Sequence, residues 1–300
     1  DGTASYVYKI IMNSFYGVLG ARGCRFAGTA LAGSITGFGQ HLLRWCRDTL
    51  HEAGYRVMYG DTDSLFVLTD IDDETAAEDV RSLGVSIAEW MNQRITAYVE
   101  ERWKVDSRLE LEFEKVYSRF FLPAIRHALP QEELRGRAKG YAGLVLDSGT
   151  VEIRGMEAVR SDWTVAAGEF QRELLRLVFN DADEQEIAEY VRSVADSLKD
   201  GTLDDKLVYS KNLRKGVSDY ASTGPPHVQA ARLLPPERRH GAIRYLMTVE
   251  GPQPKGFLTA AIDYDHCLER QLRPIAESIA DFVHLPIASL DSSPQLNLFE

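Results

Sequence analysis

The sequence predicts an α+β fold, and three observations carry that expectation. Tyr55-Arg56-Val57-Met58-Tyr59 and Leu65-Phe66-Val67-Leu68 are short runs rich in β-branched and aromatic residues. Between them stand Gly60, Asp61, Thr62, Asp63 and Ser64, all turn formers, so the whole reads as a β-hairpin. Long stretches on either side repeat their apolar residues at helical spacing instead. The third observation is the strict alternation of Leu109-Glu110-Leu111-Glu112-Phe113-Glu114, which reads as a half-exposed strand. The 300 residues, 44% hydrophobic and 26% charged, suit one large or two modest globular domains. No apolar run approaches the ~18 residues of a membrane span, so no membrane partner is expected.

Residues 4–19 form the first helix by pattern. Lys9, Asn13, Tyr16 and Gly17 share one stripe, and Ile10, Ile11, Met12, Phe15, Val18 and Leu19 cover the rest. The helix is therefore expected to be mostly buried with one working edge. A lysine on such an edge suits phosphate as a mobile point charge. The opening reads as this helix rather than as a signal peptide. Arg22 and Arg25 follow in a connection. From Thr29 to Leu50, Leu31, Ile35, Phe38, Leu42, Leu43 and Trp45 mark a core helix, stopped by Gly54 before the hairpin.

Asp61 and Asp63 lie two positions apart at the hairpin tip, where side chains on an extended chain point the same way. Left unneutralised they would repel each other. A hard divalent cation removes that penalty, and Mg²⁺ is commonly held by one or two carboxylates plus substrate phosphates. On this hexapeptide alone, a polar turn or the D-x-D of a glycosyltransferase would look the same.

Past the hairpin, Asp72 and Asp73 open a long helix to about Trp103, with Val80, Leu83, Ile87, Trp90, Met91, Ile95 and Tyr98 on its buried side. Glu110, Glu112 and Glu114 share one face of the next strand, and alternation alone accounts for them. Residues 123–138 read as a loop. Apolar spacing turns helical again at Phe170, Leu174, Leu175, Leu177 and Val178, and at Ile187, Tyr190, Val191, Val194 and Leu198. A last helix spans Ile262 to Ile275, with Pro274 kinking or ending it.

A net charge of −11 argues against nucleic acid only as a sum, since electrostatic footprints are local. Residues 206–244 hold eight basic residues against two acidic ones, while acidic residues crowd 70–79, 100–114 and 181–189. Cys24, Cys46 and Cys267 are scattered singly, which points to a reducing cytosol.

Lys9-Ile-Ile-Met-Asn13-Ser14-Phe-Tyr16-Gly17 resembles the K-x-x-x-N-S-x-Y-G motif of family B DNA polymerases, and Tyr59-Gly-Asp61-Thr-Asp63-Ser64 resembles their Y-x-D-T-D-S motif. The two stand in the family's order, and a glycosyltransferase has no use for the first. Lys139-Gly-Tyr141-Ala-Gly143-Leu is similar to the family's K-K-x-Y-A-G-L segment, which tracks the primer end. Ala138 stands where the first lysine is expected, which implies weaker primer-terminus contacts. Residues 155–163 resemble the palm–thumb join. Gln295-Leu296-Asn297-Leu298-Phe299 is similar to the pentapeptide by which bacterial DNA polymerases hold the sliding clamp.

The resemblance implies part of a right-hand polymerase: the end of a fingers helix at 1–20, palm at 21–154, a mostly helical thumb at 155–290 and a flexible tail at 291–300. It implies DNA synthesis by two-metal phosphoryl transfer, with two Mg²⁺ ions in the complete enzyme. Asp61 and Asp63 are then the metal-binding carboxylates, with Asp63 bridging. Lys9 and Asn13 hold the incoming deoxynucleoside triphosphate, Lys9 also serving catalysis, and Tyr16 and Gly17 line the nascent base pair. Lys139 and Tyr141 meet the primer end, while Lys211, Arg214 and Lys215 grip primer–template DNA. Gln295, Leu296, Leu298 and Phe299 bind the bacterial β sliding clamp, which places the protein in the bacterial cytoplasm with the nucleoid. The family's D-x-x-S-L-Y-P-S segment, with its further metal-binding aspartate, and its 3′–5′ exonuclease have no counterpart in these 300 residues. The chain is thus expected to resemble the C-terminal portion of such an enzyme and to be inactive alone. The rival reading is a non-catalytic module that binds DNA and the clamp.

Overall fold

The computed structural model describes residues 2–21, 23–72, 75–123 and 139–283. They form two compact units, residues 1–115 and 116–300.

The first unit runs α1 (Gly2–Gly20), α2 (Thr29–Glu52), β1 (Arg56–Asp61), β2 (Ser64–Leu68) and α3 (Ala77–Trp103). Cys46 and Leu50 of α2, four apart, meet Met91, Ile95 and Val99 of α3, also four apart, and these five are the buried centre. Val57, Leu65 and Val67 bring the hairpin down onto that centre. An aromatic cluster fixes the two helices together. Trp45 stacks on Tyr98 with ring centroids 4.1 Å apart, and Trp103 meets Tyr98 edge-on at 5.4 Å. The Tyr98 hydroxyl and His41 Nε2 share a 2.8 Å hydrogen bond.

Three expectations need correction here. α1 forms as the pattern predicts, but it is not mostly buried. Ile10, Ile11, Met12 and Phe15 are exposed, Met12 to 70%, because no described residue covers its apolar faces. Its anchorage lies near its C-terminal end, where Gly28 N–H donates to the Leu19 carbonyl. α3 starts at Ala77 rather than Asp72, which instead closes a turn by accepting from Thr75 N–H; Asp73 lies outside the described residues. Glu78 and Asp79, in the first turn, complement the helix dipole in place of the expected pair.

The third correction concerns 109–114, which is extended but pairs with no strand among the described residues. Leu111 and Phe113 are half-buried and the glutamates exposed, so the alternation is genuine. Its cause is the surface of α3. A Cβ at Gly84 would sit 2.2 Å from the Phe113 ring, so the absence of a side chain there admits the ring.

The second unit opens with β3 (Tyr117–Phe121), β4 (Tyr141–Val145) and β5 (Val151–Arg154), antiparallel in that order. α4 (Val165–Phe179) and α5 (Glu184–Lys199) follow where the helical spacing places them. Each has its cap: Thr164 Oγ1 accepts from Ala167 N–H, and Asp183 Oδ1 from Glu186 N–H. A second antiparallel sheet, β6 (Tyr209–Asn212), β7 (Ala242–Thr248) and β8 (Gly251–Pro254), is interrupted in sequence by α6 (Pro226–Arg232). This sheet adds to the mainly helical region expected beyond residue 155.

The chain then passes through α7 (Tyr264–Cys267), a π-helical turn Leu268–Leu272 and α8 (Arg273–Val283). Pro274 therefore does not end the helix. The wide turn before it interrupts the ordinary ladder where proline lacks its N–H, and the helix continues beyond it. Ile275, Ala276 and Ile279 reach the main core, with Phe170, Leu174 and Leu175 of α4 and Ala142 and Ile153 of the first sheet.

The predicted loop lies largely in 124–138, outside the described residues, as do Ala138 and the tail residues Gln295, Leu296, Leu298 and Phe299. No helix among the described residues is long and apolar enough to cross a membrane.

Candidate active site and nucleic-acid interface

The β1–β2 register pairs Tyr59 with Phe66, Gly60 with Leu65 and Asp61 with Ser64, leaving Thr62 and Asp63 as a two-residue tip. Thr62 has φ +52°, an outlier for a β-branched residue. Such a conformation costs about 1–3 kcal/mol, and strain of this kind clusters at functional sites. Asp61 is held at several atoms. Its carbonyl accepts from Asp63 N–H at 2.5 Å and from Ser64 Oγ at 3.1 Å. Its carboxylate Oδ1 accepts from Thr62 Oγ1 at 3.0 Å. Asp61 is half-buried and Asp63 exposed.

Among the described residues no group of three or more His, Cys, Asp or Glu side chains could hold a metal ion. The hairpin tip offers two hard oxygen donors, one of them oriented by a hydroxyl. That set fits Mg²⁺, which completes its shell with water and phosphate, rather than a metal that needs a full protein cage.

Lys9, Asn13, Tyr16 and Gly17 all lie on α1 and all are exposed. A Cβ built at Gly17 meets nothing within 4 Å, so no described packing contact accounts for that glycine. The helix groups these four and the hairpin groups the two aspartates. Lys139, Tyr141, Lys211, Arg214 and Lys215 belong to the second unit.

There, Tyr141 opens β4 directly after Gly140, whose φ is +146°. Its ring joins two that sequence reasoning missed. Phe120 lies 5.4 Å away and Tyr117 6.3 Å away, centroid to centroid. Tyr117 donates from its hydroxyl to Glu152 Oε2 at 2.9 Å. The signal available in the sequence was Gly143, since a Cβ there would stand 2.3 Å from the Tyr117 ring.

The basic stretch is narrower than its composition. Lys206 pairs with Glu169 at 2.7 Å. Arg232 donates to the Ala221 and Ser222 carbonyls, and Arg239 to those of Leu234 and Arg232. These three are engaged in holding the fold. Lys211, Arg214, Lys215, Arg238 and Arg244 are exposed. Tyr220 organises two of them, with Lys215 Nζ 4.7 Å above its ring and the Arg214 backbone N–H donating to its hydroxyl at 3.1 Å. His227, buried beneath, is held below its ordinary pKa by burial and then by the charge of Lys211.

The chain is 40% identical to DNA polymerase II of Escherichia coli, over 98% of its own length and 38% of that protein's. It is 31% identical to DNA polymerase 2 of Aeropyrum pernix over 91% of the chain and 31% of the relative. It is also 31% identical to a DNA polymerase of Thermococcus sp. over 75% of the chain and 26% of the relative. The chain thus spans less than two fifths of the length of these relatives. The profile described as DNA polymerase family B matches residues 3–249, and the chain belongs to that family.

Proposed function

We propose that this chain supplies part of the active site and the DNA grip of an enzyme that copies template DNA from deoxynucleoside triphosphates. The observation that carries the reading is the hairpin tip, where a strained Thr62 donates to the Asp61 carboxylate and Asp63 follows directly in the turn. Bound divalent metal at such a pair supplies charge neutralisation for in-line displacement between phosphates. Asp61 and Asp63 bind and orient at that centre. On α1, Lys9 and Asn13 contact the triphosphate, and the open side of Gly17 beside Tyr16 accepts the flat base pair. Lys139 and Tyr141 touch the primer end, and Lys211, Arg214 and Lys215 hold phosphates of the duplex without reading sequence. Fingers for 1–20, palm for 21–154 and thumb for 155–290 follow from the same reading. So do an address in the bacterial cytoplasm and binding of the β sliding clamp by Gln295, Leu296, Leu298 and Phe299.

Two carboxylates at one tip are few donors for two ions, so the 300 residues alone should not extend a primer. The test places the chain in the matching stretch of the Escherichia coli relative and follows Mg²⁺-dependent extension. Asp63→Asn should reduce the rate by about a thousandfold or more while duplex affinity stays within about twofold. A near-normal rate would favour the second reading, a non-catalytic module that uses only the exposed cations around Tyr220 and the clamp peptide. In the same chimera, removing 295–299 should abolish clamp-stimulated product length and leave single-nucleotide incorporation unchanged. Equal clamp stimulation of both forms would remove the clamp from the proposal.

A further inference from the structure

One face of the β3–β4–β5 sheet is lined by Tyr117, Phe120, Tyr141 and Glu152, while the other face packs into the core through Phe121, Ala142 and Ile153. The half-buried face is organised around Tyr117. Its ring lies against the bare Cα of Gly143, and its hydroxyl donates to Glu152 Oε2 at 2.9 Å. The ring also meets Phe120 at 5.6 Å and Tyr141 at 6.3 Å. Burial foremost, then Glu152, and then charge and hydrogen bonding from Tyr141, push the Tyr117 hydroxyl well above its ordinary range, so it stays protonated. A phenol has a single proton to give. Given to Glu152, that proton anchors the Tyr117 hydroxyl, and with it the ring that meets Tyr141 edge-on.

We propose that Glu152 and Tyr117 are positioning residues that fix the ring of Tyr141 for contact with the last base pair of the primer. This rests on the reading of Tyr141 as a primer-end residue. A side chain distinguishes a paired terminus from a displaced one only if its own position is fixed, and a supporting shell of packing and hydrogen bonds fixes it. The close approach at Gly143 belongs to the same device, since any side chain there would drive Tyr117 off the sheet.

The test uses the 300-residue chain with primer–template duplexes carrying 2-aminopurine at the primer 3′ end, matched or mismatched. Duplex affinity is read by anisotropy and the state of the terminal base by fluorescence. Tyr141→Phe should lower the matched-to-mismatched affinity ratio about three- to tenfold, the worth of one hydrogen bond. Tyr117→Phe and Glu152→Ala should do the same, and neither should lower it further when combined with Tyr141→Phe. Glu152→Gln, which keeps an acceptor oxygen, should restore most of the ratio. Matched affinity should fall with the ratio while mismatched affinity and melting temperature barely move, whereas a merely structural pair would lower melting temperature and both affinities alike and leave the ratio alone. A wild-type ratio in Tyr117→Phe, with a lowered one in Tyr141→Phe, overturns the positioning role and keeps the primer-end reading. An unchanged ratio in Tyr141→Phe overturns both.

Discussion

Asn92 brackets the backbone of Leu111: its amide donates to the Leu111 carbonyl at 2.9 Å while its own carbonyl accepts from Leu111 N–H at 2.7 Å. One side chain on α3 thus does for the 109–114 segment what a neighbouring strand does in a sheet. Removing it leaves both backbone groups of Leu111 without that partner. Asn92→Ala should cost about 1–3 kcal/mol and speed hydrogen exchange across 109–114. Asn92→Asp, which keeps the acceptor but loses the donor, should cost less. Unchanged exchange in Asn92→Ala would mean that Phe113 over Gly84 holds the segment unaided.

Thr62 makes a second prediction. Glycine at this position would relieve the positive φ but lose the hydroxyl that holds Asp61 Oδ1. Groups that orient a metal ligand typically contribute about ten- to a hundredfold in affinity. In a Mn²⁺ titration, Thr62→Gly should therefore bind about tenfold more weakly without losing hairpin stability, and Thr62→Ser should bind like the parent. Parental affinity in Thr62→Gly would show that the hydroxyl does not orient the carboxylate.

The hairpin was legible in the sequence because its turn chemistry and its flanking apolar runs agree. The helices from α2 to α5 were legible from spacing, since their apolar faces meet partners within the chain. α1 shows where spacing stops being informative. Its pattern specifies a helix, but burial depends on what stands opposite, and Met12 and Phe15 meet no cover among the described residues. The segment at 109–114 fails for a related reason. Alternation reports two unlike sides, and the side of a helix presents them as well as a sheet does. Tyr117, Glu152 and Tyr220 escaped notice because their roles arise across strands and turns, which no linear spacing records. The count of basic residues misled in part because Arg232 and Arg239 face carbonyls of their own loop.

That distinction among cations can be measured. The five exposed basic residues Lys211, Arg214, Lys215, Arg238 and Arg244 should give duplex binding a log–log salt slope of about −3 to −4.5, at roughly 0.9 per neutralised phosphate, with no sequence preference. Lys211→Ala should reduce the slope by about one. Lys206→Ala should leave it unchanged, because Glu169 already neutralises that side chain. Equal effects from both would show that the local ion pair opens on DNA, and a flat profile would rule out phosphate contact.

The remaining prediction concerns acid. His227 is buried at the start of α6, with Lys211 from β6 and the Tyr220 ring facing it, and burial and then Lys211 hold its pKa below the ordinary 6.5. His266 is lowered too, by burial first and with Arg270 adding, while Asp263 opposes. The unfolded chain therefore takes up these protons before the folded one as the pH falls. Stability rises with pH wherever the unfolded state binds more protons. It should be complete above 6.5 and fall below 6.5 toward the folded-state values. Asp162 and Glu173 act in a separate, lower window. Arg160 and Arg176 hold their pKa values down, so their contribution persists above 3.8 and 4.5 and is lost as the pH falls through the depressed values. Melting temperature followed from pH 7.5 downward should thus begin to drop near 6.5, well before the carboxylates titrate. His227→Gln, which keeps polarity but has no proton to take up, should flatten part of that first decline. An unaltered decline in His227→Gln, flattened instead by His266→Gln, would move the effect from the cation cluster to the start of the C-terminal helix.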